Sequence, residues 1–218
     1  MIGKLRRYFG EWGVQGAIAR LLRQLREGVV REEVIVLLKK TDSIVVPRRP
    51  SELRVEDLEE RHLPGLFEVN RKRGAPHADR YFEASIAKGF HGFVALKAGE
   101  VVGYYWWADY AADPPHPDLW LLGEGFKMEE GDVYGSSLFL LEQHRGGGAA
   151  GDFLCQVETS LRDRGYRRIW GYVERTNRGA RWLYSTRGYQ PMWKVMHRHF
   201  MFFKSRQTVP LDEDGGKV

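Results

Sequence analysis

The chain is short of the residues that build several kinds of site. It has one cysteine, Cys155, in 218 residues, which excludes an intramolecular disulfide framework, and without a CxxC pair or a Cys/His cluster there is no basis for a structural zinc. No apolar run approaches the roughly 20 residues that cross a bilayer, and the basic start of the chain lacks the continuous apolar core of a signal peptide. A soluble, cytoplasmic protein is expected. No Lys-Ser or Lys-Thr pair follows the glycine-rich stretch, which excludes a nucleoside-triphosphate P-loop. His197 and His199 share one strand face, but no third ligand accompanies them, so no metal is expected.

Positive charge is also scarce where a nucleic-acid face would need it. Residues 1–54 hold 12 Lys/Arg against 6 Asp/Glu, whereas residues 55–218 hold 22 against 23. A near-neutral body offers no clustered cations for a phosphate backbone, so no nucleic-acid partner is expected. The basic excess lies in KLRRYFGEWGVQGAIARLLRQLREG, where Leu5, Phe9, Trp12, Ile18, Leu21, Leu22 and Leu25 fall near one helical face. Such a helix suits an anionic membrane surface or self-association as a homodimer; packing on its own domain is the plainer use.

Periodicity and punctuation divide the rest. Val34–Lys40 is strand-like, VVPRRPSEL is a proline-broken connection, and the boundary is set near Pro50. Three regions result: 1–50 with the basic helix and an extra strand, 51–203 as the main domain, and 204–218 as a disordered tail. Within the main domain, LRVEDL predicts a short strand, Leu63–Arg73 and Asp79–Gly89 predict helices, and the strands flanking KAGE predict a hairpin. Asp132–Glu142 predicts a strand that runs into glycines. A helix with Ala150, Phe153, Leu154, Val157 and Leu161 on one face follows, then a strand at Arg167–Glu174, a short helix capped by Thr176 or Asn177, and closing strand. The expected fold is α/β (α+β), a largely antiparallel sheet flanked by helices, with one strand–loop–helix–strand unit in its second half.

The densest signal is EQHRGGGAAGDFL, Glu142–Leu154. Glycine in a regular element costs about 1 kcal/mol relative to alanine. Four glycines beside Arg145, at the mouth of a helix, therefore suggest backbone amides bared for a phosphate or diphosphate. Gly146, Gly148 and Gly151 also satisfy GxGxxG, with Glu174 ending the next strand, so a dinucleotide-binding oxidoreductase is a rival. Only 67 residues follow Gly151, too few to complete a doubly wound sheet.

Two motifs together resemble the GNAT superfamily of acyl-CoA-dependent N-acyltransferases, over about residues 53–203. Arg145-Gly146-Gly147-Gly148-Ala149-Ala150 matches Gln/Arg-x-x-Gly-x-Gly/Ala, and Asn177, Ala180, Tyr184, Gly188 and Tyr189 match Asn-x-x-Ala-x-x-x-Tyr-x-x-x-Gly-Phe/Tyr. Glu142 stands where many members have proline. The resemblance implies an N-acetyltransferase that uses acetyl-CoA as cosubstrate and acetylates an amine of a small molecule or amino sugar; a non-catalytic acyl-CoA-binding module is the alternative. It assigns the diphosphate to Arg145, Gly146, Gly147, Gly148, Ala149, Ala150 and Gly151, the coenzyme's arm to Asn177, and the oxyanion to a main-chain amide near Leu140 or Leu141, where two strands part.

The chemistry then needs an acid for the leaving thiolate and a neutral amine. A phenol of pKa about 10 outlasts a thiol of about 8.5 in holding its proton, so Tyr184 is the candidate general acid, although an aromatic there also suits packing. An ammonium of pKa about 10.4 must lose a proton, and no base stands out. Alternation along the fourth strand puts Tyr134, Ser136, Leu138 and Leu140 on one face; Glu124, Glu129, Glu130, Asp132 and His116 lie in adjoining loops. YYWWADY is read as an aromatic wall or as core, and Cys155 as a buried, inert thiol.

Overall fold

The computed structural model describes residues 30–44, 46, 50–75, 79, 82, 85, 86, 90–112, 117–123, 126–200 and 203–211. The basic helix expected at the start of the chain and the last seven residues lie outside them. The elements are β1 (Val30–Lys40), β2 (Arg54–Asp57), α1 (Leu63–Lys72), β3 (His91–Lys97), β4 (Glu100–Asp109), β5 (Asp132–Leu140), α2 (Ala149–Asp163), β6 (Arg168–Glu174), α3 (Arg178–Thr186), β7 (Gln190–Phe200) and β8 (Phe203–Val209). Of the second helix expected, Asp79, Phe82, Ser85 and Ile86 are described and are helical.

The strands form one eight-stranded sheet in the order β2-β3-β4-β5-β6-β1-β7-β8. All neighbours are antiparallel except β5 and β6. A dinucleotide fold requires a parallel, doubly wound sheet, so the oxidoreductase alternative fails on topology.

Two boundaries need correction. The strand assigned to a separate N-terminal region lies inside the sheet: β1 pairs with β6 from Val34↔Glu174 to Lys40↔Arg168 and with β7 from Val30↔His199 to Leu38↔Gln190. Its apolar run VIVLL has no polar face because both faces are covered, which is the pattern of a central strand. Val34, Val36 and Leu38 pack with Trp170, Leu122 and Val195, and Ile35 and Leu37 join the larger core. The expected tail is also shortened, since β8 adds residues 203–209 to β7 as an edge strand.

Helices cover both faces. On α1, Leu66 and Val69 are buried, and Gly65 lets the helix close on β4: a Cβ there would stand 2.8 Å from Val101 Cγ2. On α2, Phe153, Leu154, Val157 and Leu161 are fully buried at the expected spacing, and Gly165, at φ +89°, ends the helix with Tyr166 N–H donating to Leu161 O.

The alternation expected along β5 does not hold. Tyr104 pairs with Phe139 and Trp106 with Ser136, so Tyr105 faces two residues, Ser137 and Leu138. This β-bulge puts Ser137 at φ +52° and exchanges the faces beyond it. Tyr134 consequently packs with Trp170 in one core while Leu140 packs in the other.

Candidate active site

β5 and β6 pair over only three residues, Asp132↔Arg168, Val133↔Ile169 and Tyr134↔Trp170, and then part. Asp132 ties the closed end. Its buried carboxylate accepts from Arg168 Nε at 2.5 Å, Trp170 Nε1 at 3.1 Å and Glu129 N–H at 2.9 Å. Just past the paired segment, Gly135 leaves room for the Tyr105 hydroxyl, which a Cβ would overlap at 1.6 Å. β5 thus runs freely to Leu140 beside an opening floored by Tyr105.

The two amides expected at the oxyanion differ in this setting. Leu141 N–H is engaged, donating to Val102 O at 2.9 Å. That bond makes Leu141 and Val102 a hydrogen-bonded pair, so the next pair, Gly103↔Leu140, is a non-hydrogen-bonded one whose polar groups point outward. Leu140 therefore directs its N–H and C=O away from β4, toward the opening; its carbonyl accepts Arg145 Nε at 2.7 Å.

After β5 come two tight turns, Glu142–His144 and Gly146–Gly148, the second made of the glycines. Gly147 (φ +62°) and Gly148 (φ +85°) are left-handed, a conformation that disfavours side chains. Gly146 is different. It has no positive φ, and among the described residues no heavy atom lies within 4 Å of where its Cβ would be. One amide of the stretch is spoken for, because Ala149 N–H donates to Gly146 O; the first turn of α2 leaves others without intrahelical partners. Gly151 faces α3, where an added Cβ would make only ordinary contact, 3.8 Å from Leu183 Cδ1.

On α3, Asn177 is the N-cap: its Oδ1 accepts from Ala180 N–H at 3.1 Å, leaving only the amide nitrogen for anything else. Tyr184 is half-buried, its ring set edge-on to Tyr189 at 4.8 Å. Burial, reinforced by the charge of Glu158, pushes its pKa up to about 12. Tyr105 is driven well above its ordinary value, first by burial and then by Tyr184 and Glu158, which marks these phenols as neighbours.

Beneath them is a buried charge cluster that the sequence did not signal. Arg187 donates to Glu158 at 2.7 Å, and Lys39 Nζ donates to the Arg187 carbonyl at 2.7 Å and the Ser43 carbonyl at 2.5 Å. Lys39 comes from the inserted strand β1, Glu158 from α2, and Arg187 from the end of α3. Their proximity depends on long-range packing that no spacing rule encodes.

Other candidates fall away. Asp132 and Glu129 are both paired with Arg168, Glu130 is exposed, and Glu124 and His116 lie outside the described residues. In YYWWADY, Tyr104, Tyr105, Trp106 and Trp107 are all buried, because both faces of β4 are covered. Cys155 is buried on α2. Among the described residues, no three His, Cys, Asp or Glu side chains converge as a metal site, and no helix is long and apolar enough to cross a membrane.

Residues 54–189, more than half of the chain, match the family model described as Acetyltransferase (GNAT) family. A functionally unknown conserved protein from Staphylococcus epidermidis has the same fold at TM-score 0.58 and 12% identity, over 81% of this chain and 65% of that one. A GCN5-related N-acetyltransferase from Sphaerobacter thermophilus gives TM-score 0.55 at 18% identity, over 89% of this chain and 58% of that one. The glucosamine N-acetyltransferase region of a fungal multi-domain beta-N-acetylglucosaminidase gives 0.60 at 15% identity, over 88% of this chain and 23% of that one. This chain thus spans less than two thirds of each of these proteins. No curated protein matches the sequence.

Proposed function

As the chain belongs to the acetyltransferase (GNAT) family, we propose that it transfers an acetyl group from acetyl-CoA to the amine of a small molecule or amino sugar. The amine attacks the thioester carbonyl, the oxyanion forms opposite the Leu140 N–H, and the thiolate leaves with a proton. Gly146 carries this reading. With no positive φ and open space around its Cβ position, nothing among the described residues requires glycine there. What remains is approach from outside, and bare amides at a helix start suit a diphosphate. Arg145 precedes them in the chain, but its guanidinium is held over the Phe139 ring.

Tyr184 is the general acid in this scheme. A phenol held near pKa about 12 stays protonated throughout the neutral range, and its position beside Tyr105 supports access to the strand opening. The coenzyme's arm lies along β5, with Asn177 at its flank.

The test is direct. CoA titrated into the wild-type protein should bind, and Gly146→Leu should lose affinity by about tenfold or more while its melting temperature is unchanged, since among the described residues no heavy atom lies within 4 Å of the added Cβ. Equal CoA affinity in the variant would refute the diphosphate loop. Thiol release from acetyl-CoA in the presence of amines then separates an enzyme from a module that only binds CoA.

A further inference from the structure

Two guanidinium groups converge on one phenyl ring beside the strand opening. Arg73, just past the end of α1, has its Cζ 5.2 Å from the Phe139 centroid and 5.7 Å from that of Tyr104, and it donates to the Tyr104 hydroxyl. Arg145 has its Cζ 5.4 Å from the same Phe139 centroid, fixed by its bond to the Leu140 carbonyl. Both residues are exposed, and among the described residues neither has a carboxylate partner. The contrast with Arg71 is plain, for it is paired with Glu68 at 2.6 Å on the same helix.

Stacked cations without a carboxylate partner among the described residues, held within about 11 Å of one another, raise the local positive potential where an anion can answer both. Their side of the sheet matters. Phe139 stacks on Tyr104, and Tyr104 meets Phe82 edge-on, so this cluster lies on the face of β4 and β5 covered by the early helical residues. Tyr105, the next residue of β4, points to the opposite face, toward Tyr184 and Glu158 on α3 and α2. The glycine loop leads onto that opposite face. An anion at Arg73 is therefore separate from a diphosphate at the start of α2, and it sits one residue from Leu140.

We infer that Arg73 and Arg145, clasping Phe139, form a subsite for an anionic group on the acyl acceptor, so that the preferred acceptor is an amine bearing a carboxylate or phosphate. The inference rests on the acetyltransferase reading above. A guanidinium presents several N–H donors in a rigid fork, and Arg73 gives one to Tyr104, leaving others for an oxyanion. The Tyr104 phenol, held protonated by burial at a pKa of about 12, accepts from Arg73 and keeps its own O–H to donate. A neutral acceptor would leave these donors to water, and a diamine would meet like charge.

The experiment uses the full chain. CoA affinity is measured by calorimetry for the wild type and for Arg73→Gln, and thiol release from acetyl-CoA is followed with matched acceptors: β-alanine against β-alaninamide, phosphoethanolamine against ethanolamine, and 1,3-diaminopropane. The anionic member of at least one pair should show kcat/KM about tenfold above its neutral partner. Arg73→Gln should erase that preference through KM, with CoA affinity within about twofold of wild type, and Arg73→Lys should restore part of it. Whichever anionic member leads tells carboxylate from phosphate. Equal turnover within both pairs, or no turnover of either anionic member, overturns the inference while leaving CoA binding intact. A large loss of CoA affinity in Arg73→Gln also overturns it, by assigning Arg73 to the cosubstrate. Absence of CoA binding in the wild type brings down the acetyltransferase reading itself.

Discussion

Gly146 and Gly148 are neighbours in one run of glycines and have different reasons to be glycine. Gly148 sits at φ +85°, so a side chain there strains the backbone by roughly 1–2 kcal/mol. Gly148→Val should lower the melting temperature as well as CoA affinity, whereas Gly146→Leu should change affinity alone; calorimetry with a thermal melt distinguishes the two. Tyr184 gives a second residue-level prediction. Tyr184→Phe should reduce kcat by about a hundredfold, the low end for general acid catalysis, and leave acetyl-CoA affinity nearly unchanged. The wild-type pH profile should carry no alkaline fall from this group below pH about 10, because a phenol raised to about 12 is still almost fully protonated there. Equal turnover in the variant would make Tyr184 a packing residue.

At the scale of elements, the Glu158–Arg187 pair joins α2 to the end of α3, and Lys39 joins β1 to both. Burial raises the Glu158 carboxyl while Arg187 and Lys39 hold it down; burial lowers Lys39. Removing one member leaves an uncompensated charge in the core. Arg187→Met should therefore destabilise the protein by about 3–5 kcal/mol, and adding Glu158→Leu should cost less than the sum of the single changes. Urea melts of the three variants read this out. Strict additivity would mean that the pair does not act as one unit.

For the whole molecule, the place of β1 decides what can be cut away. Deleting residues 1–40 removes a strand paired on both sides and splits the sheet between β6 and β7. The truncated chain should fail to give a cooperative melt, while a native-like melt would show β1 to be dispensable. The aromatic core gives a global pH dependence. Tyr104, Tyr166 and Tyr184 are held at about 12, above the value near 10 of an unfolded phenol. Their contribution is complete below pH about 10 and is lost as pH rises toward 12. Lys39 works in the opposite sense, one group against several. Circular dichroism melts from pH 8 to 12 should show stability falling over that window.

Local signals in the sequence determined much of this. Periodicity placed α1 and α2, glycines marked the ends of α2 and α3, and Asn177 was legible as a cap because caps and turns are set by residues a few positions apart. The glycine-rich turn at Gly146–Gly148 was legible for the same reason, whereas Tyr184 was singled out by the resemblance to a family. Tertiary structure alone decided the rest. A β-strand carries no mark of which strands will flank it, so VIVLL announced a buried strand but not its place between β6 and β7. The bulge at Ser137 depends on the partner strand, and it chose which faces meet and left Leu140, rather than Leu141, with a free-pointing amide. Arg73 with Phe139, and Lys39 with Glu158 and Arg187, are pairings across long sequence separations that exist only once the sheet has closed.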